Sequence, residues 1–486
     1  MGQDDQKDQI ECKELGDLTG REAEGGKAVA AAGSLRLGRA AVDDSGAAVR
    51  VGDASFPAPF ASQLEFNAPV HGAWNIVHVG MLVPECHHIY VCADNCMRGV
   101  VLTAAEMGAA GRFSCVLLEE SDLYDGNLED ITVEGVSDAI RRLPYRPRAA
   151  AVFLVCLHHF VGTDTRYVYR KLEERFPDID FMRCWMDPVM RKSGPGPEQK
   201  LKASMLRPIR PLPVQPGLVC DLGDNQPLDP GNDRAAAVTA AGGTLFQLQD
   251  CASYDDFLKM GAAALFITRS PSGVHGVSQL ARRLSRPFLY LPPICGAQEI
   301  HASLKKIQDE IRASLEKKQD ENRASLKKIQ DENCASLENN QDENRASLEE
   351  LQEEIRNTAS VSAEDGCAQA GIHEMGADQG VFSESAAREA LAHARALVAD
   401  TVVTIDAFAT PRPLSLARLL LENGFHVTRV YLDVISEEEE EDFRWLQRHV
   451  PNLMLTATVH PKMRILHAGE DEGGMLAIGP KAAWFG

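Results

Sequence analysis

From about residue 65 onward, apolar and polar positions follow two alternating rhythms. Short apolar runs at 89–91, 114–118, 149–156 and 181–185 read as buried strands. Between them, apolar positions recur every three to four residues over 97–107, 133–143 and 164–176, the spacing of helices packed on one face. The rhythm returns after 207–217, RPIRPLPVQPG, a Pro-rich stretch that predicts a boundary. Strands are expected at 218–221, 244–248, 263–268 and 287–291, with helices at 254–260 and 277–284. A third block begins with a helix at 384–398. A strand at 401–406, a turn at 407–413 and a helix at 414–423 closed by Gly424 follow. It continues with a strand at 426–432, a helix at 437–449 and strands at 453–458 and from 475. Strand and helix in alternation predict α/β layers with parallel, doubly wound sheets, here three Rossmann-like domains.

Two stretches break the rhythm. Residues 302–356 read ASLKKIQDEIR, ASLEKKQDENR, ASLKKIQDENC, ASLENNQDENR and ASLEELQEEIR, one unit of eleven residues repeated. Leu304, Leu315, Leu326, Leu337 and Leu348 hold the same place in each unit. Eleven residues make almost three helical turns, so the stripe drifts only about 20° per unit, in the sense of a right-handed supercoil. One continuous helix would be about 80 Å long. The stripe is thin, because Lys318, Asn322, Asn333, Asn340 and Asn344 interrupt it. A solvated helix grown by duplication and a coiled-coil arm both follow from this pattern. Residues 1–60, rich in Ala, Gly, Asp and Glu without sustained periodicity, predict a disordered tail. The expected organisation is therefore a tail at 1–60, α/β domains at 61–206 and 207–300, helical repeats at 301–356, a linker at 357–382 and a third domain at 383–486. That last layer ends one short segment after a strand, which reads as a truncation.

Composition narrows the function classes. The 486 residues are 44% hydrophobic and 25% charged, a globular balance. A formal net charge of −21 argues against nucleic acid and basic membrane-surface binding. No apolar run nears the roughly 18 residues needed to span a bilayer, and the start MGQDDQKDQIEC lacks a secretory pattern. The cytoplasm is the expected compartment. There, 12 scattered cysteines point to metal binding or burial more than to disulfides.

The segment 71–108 concentrates candidate chemistry. Cys92 is expected at a strand's carboxyl end and Cys96 at a helix amino end, where the helix dipole favours thiolate. In open α/β sheets ligands gather outside the carboxyl ends of the strands. Cys156 ends the apolar run 149–156 and could meet them there. Three thiolates suit an iron–sulfur cluster or zinc. The fourth ligand is open between Cys86, Asp94, a histidine and a group from a second subunit. His158 and His159 are candidates for proton or hydrogen-bond donors beside the thiols. Asp406 and Arg412 flank a turn that could hold an anion or substrate. No GxxxxGK[ST] is present, so ATP hydrolysis would belong to a partner.

HGAWNI at 71–76, the Cys92/Cys96 segment and the turn CLHHFVGTD at 156–164 resemble the nitrogenase component 1 superfamily. That family carries an HG segment, a cysteine after the next strand and a Cys-x-x-x-x-[IV]-G-x-D turn. TVVTIDAFATPRPLSLARLLLENGF at 401–425 and VHPKM at 459–463 are similar to the third domain of nitrogenase-like reductases of anaerobes. The resemblance spans about 65–300 and 383–486. It implies three Rossmann-like domains, a paired like or related subunit, and a metallocluster near that interface. It also implies an ATP-dependent iron protein as electron donor to an unidentified substrate. Cys92 or Cys96, with Cys156, fall where cluster thiolates are expected. Ile76 stands where nitrogenase has its first cysteine ligand, so a [4Fe–4S] cluster is implied rather than a shared eight-iron one. Any further metallocofactor is unidentified; Cys295 and His467 form no convincing pair for one. The alternatives are a metallocluster scaffold or carrier, and a degenerate α/β protein without a cluster.

Overall fold

The computed structural model describes residues 40–41, 46–60, 76–124, 126–186, 195–229, 231–293, 295–338, 383–458, 460, 463, 467–468 and 474–485. The HG segment at 71–72, repeat residues beyond 338 and the 357–382 linker lie outside them. Two units are distinguished. In residues 1–41 and 466–472, Ala40–Ala41 pairs antiparallel with His467–Ala468. The other unit holds the three sheets, and the fold is α/β.

The first sheet comprises β1 (Cys86–Cys92), β2 (Phe113–Leu117), β3 (Ala149–Val155) and β4 (Asp180–Met186), all parallel, in the order β2-β1-β3-β4. Every residue of β1 and β3 is buried, as an apolar run covered on both faces requires. Helices α1 (Arg98–Glu106), α2 (Leu128–Arg142), α3 (Cys156–Phe160) and α4 (Thr165–Arg175) complete the layer. The chain leaves β1 for β2 on one side, then returns to place β3 on the other. The topological switch point therefore lies between β1 and β3.

Helix α5 (Pro197–Met205), which the periodicity did not predict, leads to the second sheet. Its strands are β5 (Leu218–Asp221), β6 (Thr244–Gln247), β7 (Leu265–Thr268) and β8 (Phe288–Tyr290), parallel in the order β8-β7-β5-β6. The helices are α6 (Asp233–Ala240), α7 (Tyr254–Lys259), α8 (Pro271–Leu284) and the 42-residue α9 (Ala297–Glu338). Helix α8 crosses α5 at Gly276, where an added Cβ would lie 2.8 Å from the backbone nitrogen of Ala203. One hydrophobic cluster runs from Tyr90, Phe153 and Cys184 through Leu201 to Phe257, Phe266 and Val277, joining the first two sheets.

Helix α9 carries the repeats. Ile307 and Ile311 are buried among Val219, Val238, Leu265 and Ile267, and Leu304 is buried one turn earlier, so its beginning is an ordinary helix covering the second sheet. Further along, Leu326 and Ile329 are 60% and 54% exposed. The stripe outruns the sheet it covers.

In the third sheet, α10 (Glu384–Val398) precedes β9 (Val402–Asp406), α11 (Pro413–Glu422), β10 (His426–Tyr431), α12 (Glu440–His449), β11 (Met454–Thr456), β12 (Met475–Ile478) and α13 (Pro480–Phe485). The strand order is β12-β9-β10-β11, followed by the strand Ala48–Arg50, which pairs antiparallel with β11. This corrects the expectation of disorder through residue 60. Residues 46–60 are ordered, with Val51 and Ala54 buried in the third core and the Val51 N–H donating to Leu453 O at 2.8 Å. A three-residue edge strand is too short to show periodicity; its order comes from a partner about 400 residues away in sequence.

Candidate functional site

Cys92 is the last residue of β1, and Cys156 opens α3 directly after β3. The register Val91 to Leu154 sets these two positions beside each other at the carboxyl edge. They flank the switch point of the first sheet. Cys96 ends a 3-10 turn, Asp94–Cys96, immediately before α1. Cys92 and Cys96 feel one another electrostatically, as do Cys96 and Cys156. The fold thus brings three thiols, 64 residues apart at the extremes, to one rim.

Their protonation departs from the sequence expectation. The Cys92 thiol is fully buried, donates to Met97 Sδ at 2.9 Å and is pushed up to about 12, first by burial and then by Cys96. Burial also raises Cys96, with Cys156 adding to it. Desolvation of a thiolate outweighs the partial charge of a helix end here. Cys86 does not reach the rim. It begins β1, so six strand steps, about 20 Å, separate it from Cys92. It lies in the core with its Sγ 4.0 Å from Met182 Sδ, pushed up to about 12 by burial.

The polar candidates near the rim serve the fold. His158 is buried; its Nδ1 accepts from Val155 N–H at 3.3 Å and its Nε2 lies 3.2 Å from Thr132 Oγ1. Burial lowers it to about 4, so the ring is neutral at pH 7 and holds the start of α3 in place. Held this way, the ring carries no second proton at neutral pH, while its Nε2 remains a hydrogen-bonding group toward Thr132. His159 is exposed and stacks on Trp185, centroids 3.9 Å apart and planes within 7°. Gly162 adopts φ 73°, which favours glycine, and the Asp164 carboxylate caps α4 by accepting from Arg166 and Tyr167 N–H groups. Asp94 is exposed in the turn before Cys96. Ile76 is partly buried against the first core.

Asp406 and Arg412 lie on the third sheet. Asp406 is fully buried at the end of β9, where its carboxylate accepts from the N–H groups of Phe408, Ala409, Lys481 and Ala482 at 2.6–2.9 Å. It occupies the switch point between β9 and β12 itself and takes up the four N–H groups that a bound anion would use. Arg412 pairs with Glu299 and Asp442, both at 3.4 Å, beside half-buried Cys295 in a cleft of about 400 Å³. Burial pushes the Cys295 thiol up to about 11. The His467 side chain lies outside the described residues.

Sequence reasoning missed Glu439. It is fully buried and accepts from Leu414 N–H (2.7 Å) and Ser415 N–H (3.0 Å) at the start of α11. Burial pushes its carboxyl from 4.5 to about 7, against the pull of those N–H groups and Arg412. A carboxyl that holds its proton more tightly when folded stabilises fully below about pH 4.5. That contribution is lost as the pH rises through 7, and is worth about 3 kcal/mol over the window. Wild type is therefore expected to lose that much against Glu439→Gln between pH 4.5 and 8, read from urea midpoints. A constant difference would place the carboxyl's titration elsewhere.

No family model matches the chain, and no curated protein does. Among solved structures it is similar to one titled nitrogenase Cp1 at pH 6.5, at 12% identity and TM-score 0.48, covering 91% of this chain and 80% of that one. It is also similar to nitrogenase Cp1 at pH 5, at 11% identity and TM-score 0.46, covering 87% and 82%. At these values the likeness assigns neither a family nor an activity. Among the described residues no helix is long and apolar enough to cross a membrane.

For a metallocluster the donor chemistry is suitable and the geometry is not closed. Among the described residues no three His, Cys, Asp or Glu side chains are arranged to hold a metal ion. Cys92 faces Met97 in the core. Within one chain these residues do not fit a complete cluster site.

Proposed function

We propose that this chain is a component 1-type subunit of a nitrogenase-like oxidoreductase. It would receive electrons from an ATP-dependent iron protein and reduce a substrate not yet identified. A [4Fe–4S] cluster would be bound at the first sheet's carboxyl rim and completed by a second component 1 subunit. The observation that supports this reading is that Cys92, Cys96 and Cys156 all lie at strand or helix ends on the carboxyl rim of the first sheet; within one chain they are not arranged around a metal ion, so a second subunit would have to complete the site. The sequence resemblance at 71–76, 92–96 and 156–164 supports it. So do apolar side chains near the same edge: Phe160 and Val161, just after Cys156, are 71% and 50% exposed. Exposed apolar groups of this kind suit cover by a partner.

The expected result is iron and acid-labile sulfide in anaerobically purified protein, with a low-temperature EPR signal after dithionite reduction. Cys156→Ala and at least one of Cys92→Ala and Cys96→Ala should lose both. Turnover with an added iron protein would separate a reductase from a scaffold or carrier of clusters. The second reading, an α/β protein without a cluster, is favoured by the burial of Cys92 against Met97. Folded, iron-free protein after attempted reconstitution would establish it.

A further inference from the structure

The chain between α5 and β5 reads RPLPVQP over residues 210–216 and forms neither helix nor strand there. Its conformation is set locally. Proline fixes φ near about −65° at Pro211, Pro213 and Pro216. The residue before a proline is held out of the helical region, which constrains Arg210, Leu212 and Gln215 as well. Val214 alone in the run is free of both restrictions. Such a run favours polyproline II, a left-handed helix of three residues per turn without hydrogen bonds of its own.

The fold pins this backbone and leaves its side chains in water. The N–H groups of Leu212 and Gln215, one polyproline turn apart, donate to Gly261 O at 3.2 Å and Ala262 O at 2.8 Å, on the turn before β7. Arg286 donates to Leu212 O at 3.3 Å. Every residue from Arg210 to Gln215 is nevertheless exposed, Leu212 and Val214 by 40% and 43%. The overlapping pair Pro208 and Pro211 is closed off, because Pro208 and Ile209 are buried.

Three residues per turn put Arg210, Pro213 and Pro216 on one edge, so that edge begins with a cation. More positive charge lies beside it. Arg207, Arg210 and Arg283 are exposed. Burial lowers the Arg283 pKa, and the charges of Arg210 and Arg207 add to that. Asp180 is the carboxylate paired with Arg210, at 3.3 Å. In a chain of net charge −21 this is a local basic surplus.

We propose that residues 210–216 are a docking ligand for a second protein, one whose groove is lined by aromatic rings and rimmed by carboxylates. Grooves of this kind take Pro-x-x-Pro segments in the polyproline II form. The proline rings and Leu212 fill the slots between the aromatic rings. A carboxylate on the rim pairs with Arg210 and sets the direction of the segment. Because the fold already holds the backbone, little conformational entropy is lost on docking. The segment includes none of the thiol-rim residues, so the inference stands whether or not a cluster is bound there.

Calorimetric titration of the full chain with a recombinant SH3 domain that accepts Arg-x-x-Pro-x-x-Pro peptides tests it. Saturable one-to-one binding with Kd below about 1 mM is expected. Pro213→Ala should weaken it at least about tenfold, by removing a ring from the groove, and Arg210→Gln severalfold, by removing the charge the rim reads. Both substitutions change exposed side chains, and an exposed pair such as Arg210–Asp180 contributes little to stability. Melting temperatures close to wild type are therefore expected, and Arg210→Gln keeps the test readable if Pro213→Ala loosens the segment. The proposal is overturned by no saturable binding up to that limit, or by binding that Pro213→Ala leaves unchanged. Binding lost in Arg210→Gln but kept in Pro213→Ala would be attraction between charges alone, and overturns it too.

Discussion

Lys202→Met is expected to destabilise the protein by about 3–5 kcal/mol, the cost of leaving one member of a buried ion pair alone. Lys202 and Glu198 are one turn apart on α5, with side chains 3% and 8% exposed and 2.7 Å between Nζ and Oε1. The ammonium also donates to Gly223 O at 2.7 Å and Ser272 Oγ at 2.6 Å. It therefore ties α5 to the loop after β5 and to the start of α8, close to the second sheet's switch point. Methionine fills the volume but brings no charge and no donor. Glu198 would keep a carboxylate whose second oxygen already lacks a partner among the described residues. The urea midpoint of Lys202→Met should fall sharply. The double variant Glu198→Leu/Lys202→Met should recover much of the loss, since removing both charges removes the desolvation penalty with them. A single variant as stable as wild type would mean that water reaches the pair.

Asp406→Ala is expected to cost about 4 kcal/mol or more, because four backbone N–H groups lose their acceptor at once. Two belong to the turn after β9 and two to the first turn of α13. The carboxylate sits so close to the β12–α13 junction that a Cβ on Gly479, which has φ 114°, would overlap it. Nothing larger than glycine fits there. Loss of the carboxylate should detach α13, detected as limited proteolysis near the carboxyl end together with a lowered melting temperature. Asp406→Asn keeps one accepting oxygen and should fall between the two. If Asp406→Ala melts as wild type with α13 still protected, water has replaced the carboxylate and the junction is held by other contacts.

The two positions explain why a candidate site is hard to choose from sequence. All three sheets have a switch point at their carboxyl edge, where ligands collect in such folds. The third is closed by Asp406 and the second is spanned by Lys202, Glu198 and the Asp221–Arg269 pair at 2.9 Å. The first carries thiols. In sequence, Asp406, Lys202 and Cys156 are all polar or reactive residues beside apolar runs, and nothing local separates a plug from a ligand.

The strand and helix rhythm was legible because fully buried parallel strands must be apolar on both faces, and the helices covering them on one. β5, α10 and β12 have the predicted limits or begin where predicted. The helical repeats were equally plain, since an eleven-residue spacing of leucines needs no tertiary context. Cys92, Cys96 and Cys156 could each be placed at a strand or helix end from the sequence, because those ends follow from the same rhythm.

What the sequence could not determine was direction and burial. Cys86 and Cys92 look equivalent as letters, yet one opens β1 and the other closes it. His158 reads as a reactive group until the fold buries it against Thr132, and the helix dipole at Cys96 reads as activating until desolvation reverses it. Residues 46–60 carry no signal because their order is supplied by β11. By itself the sequence determined the elements, their alternation and the repeat, which depend on neighbours a few residues apart. Only the tertiary structure decided which polar groups are satisfied and which are buried without a partner among the described residues, because solvation is set by residues distant in the chain.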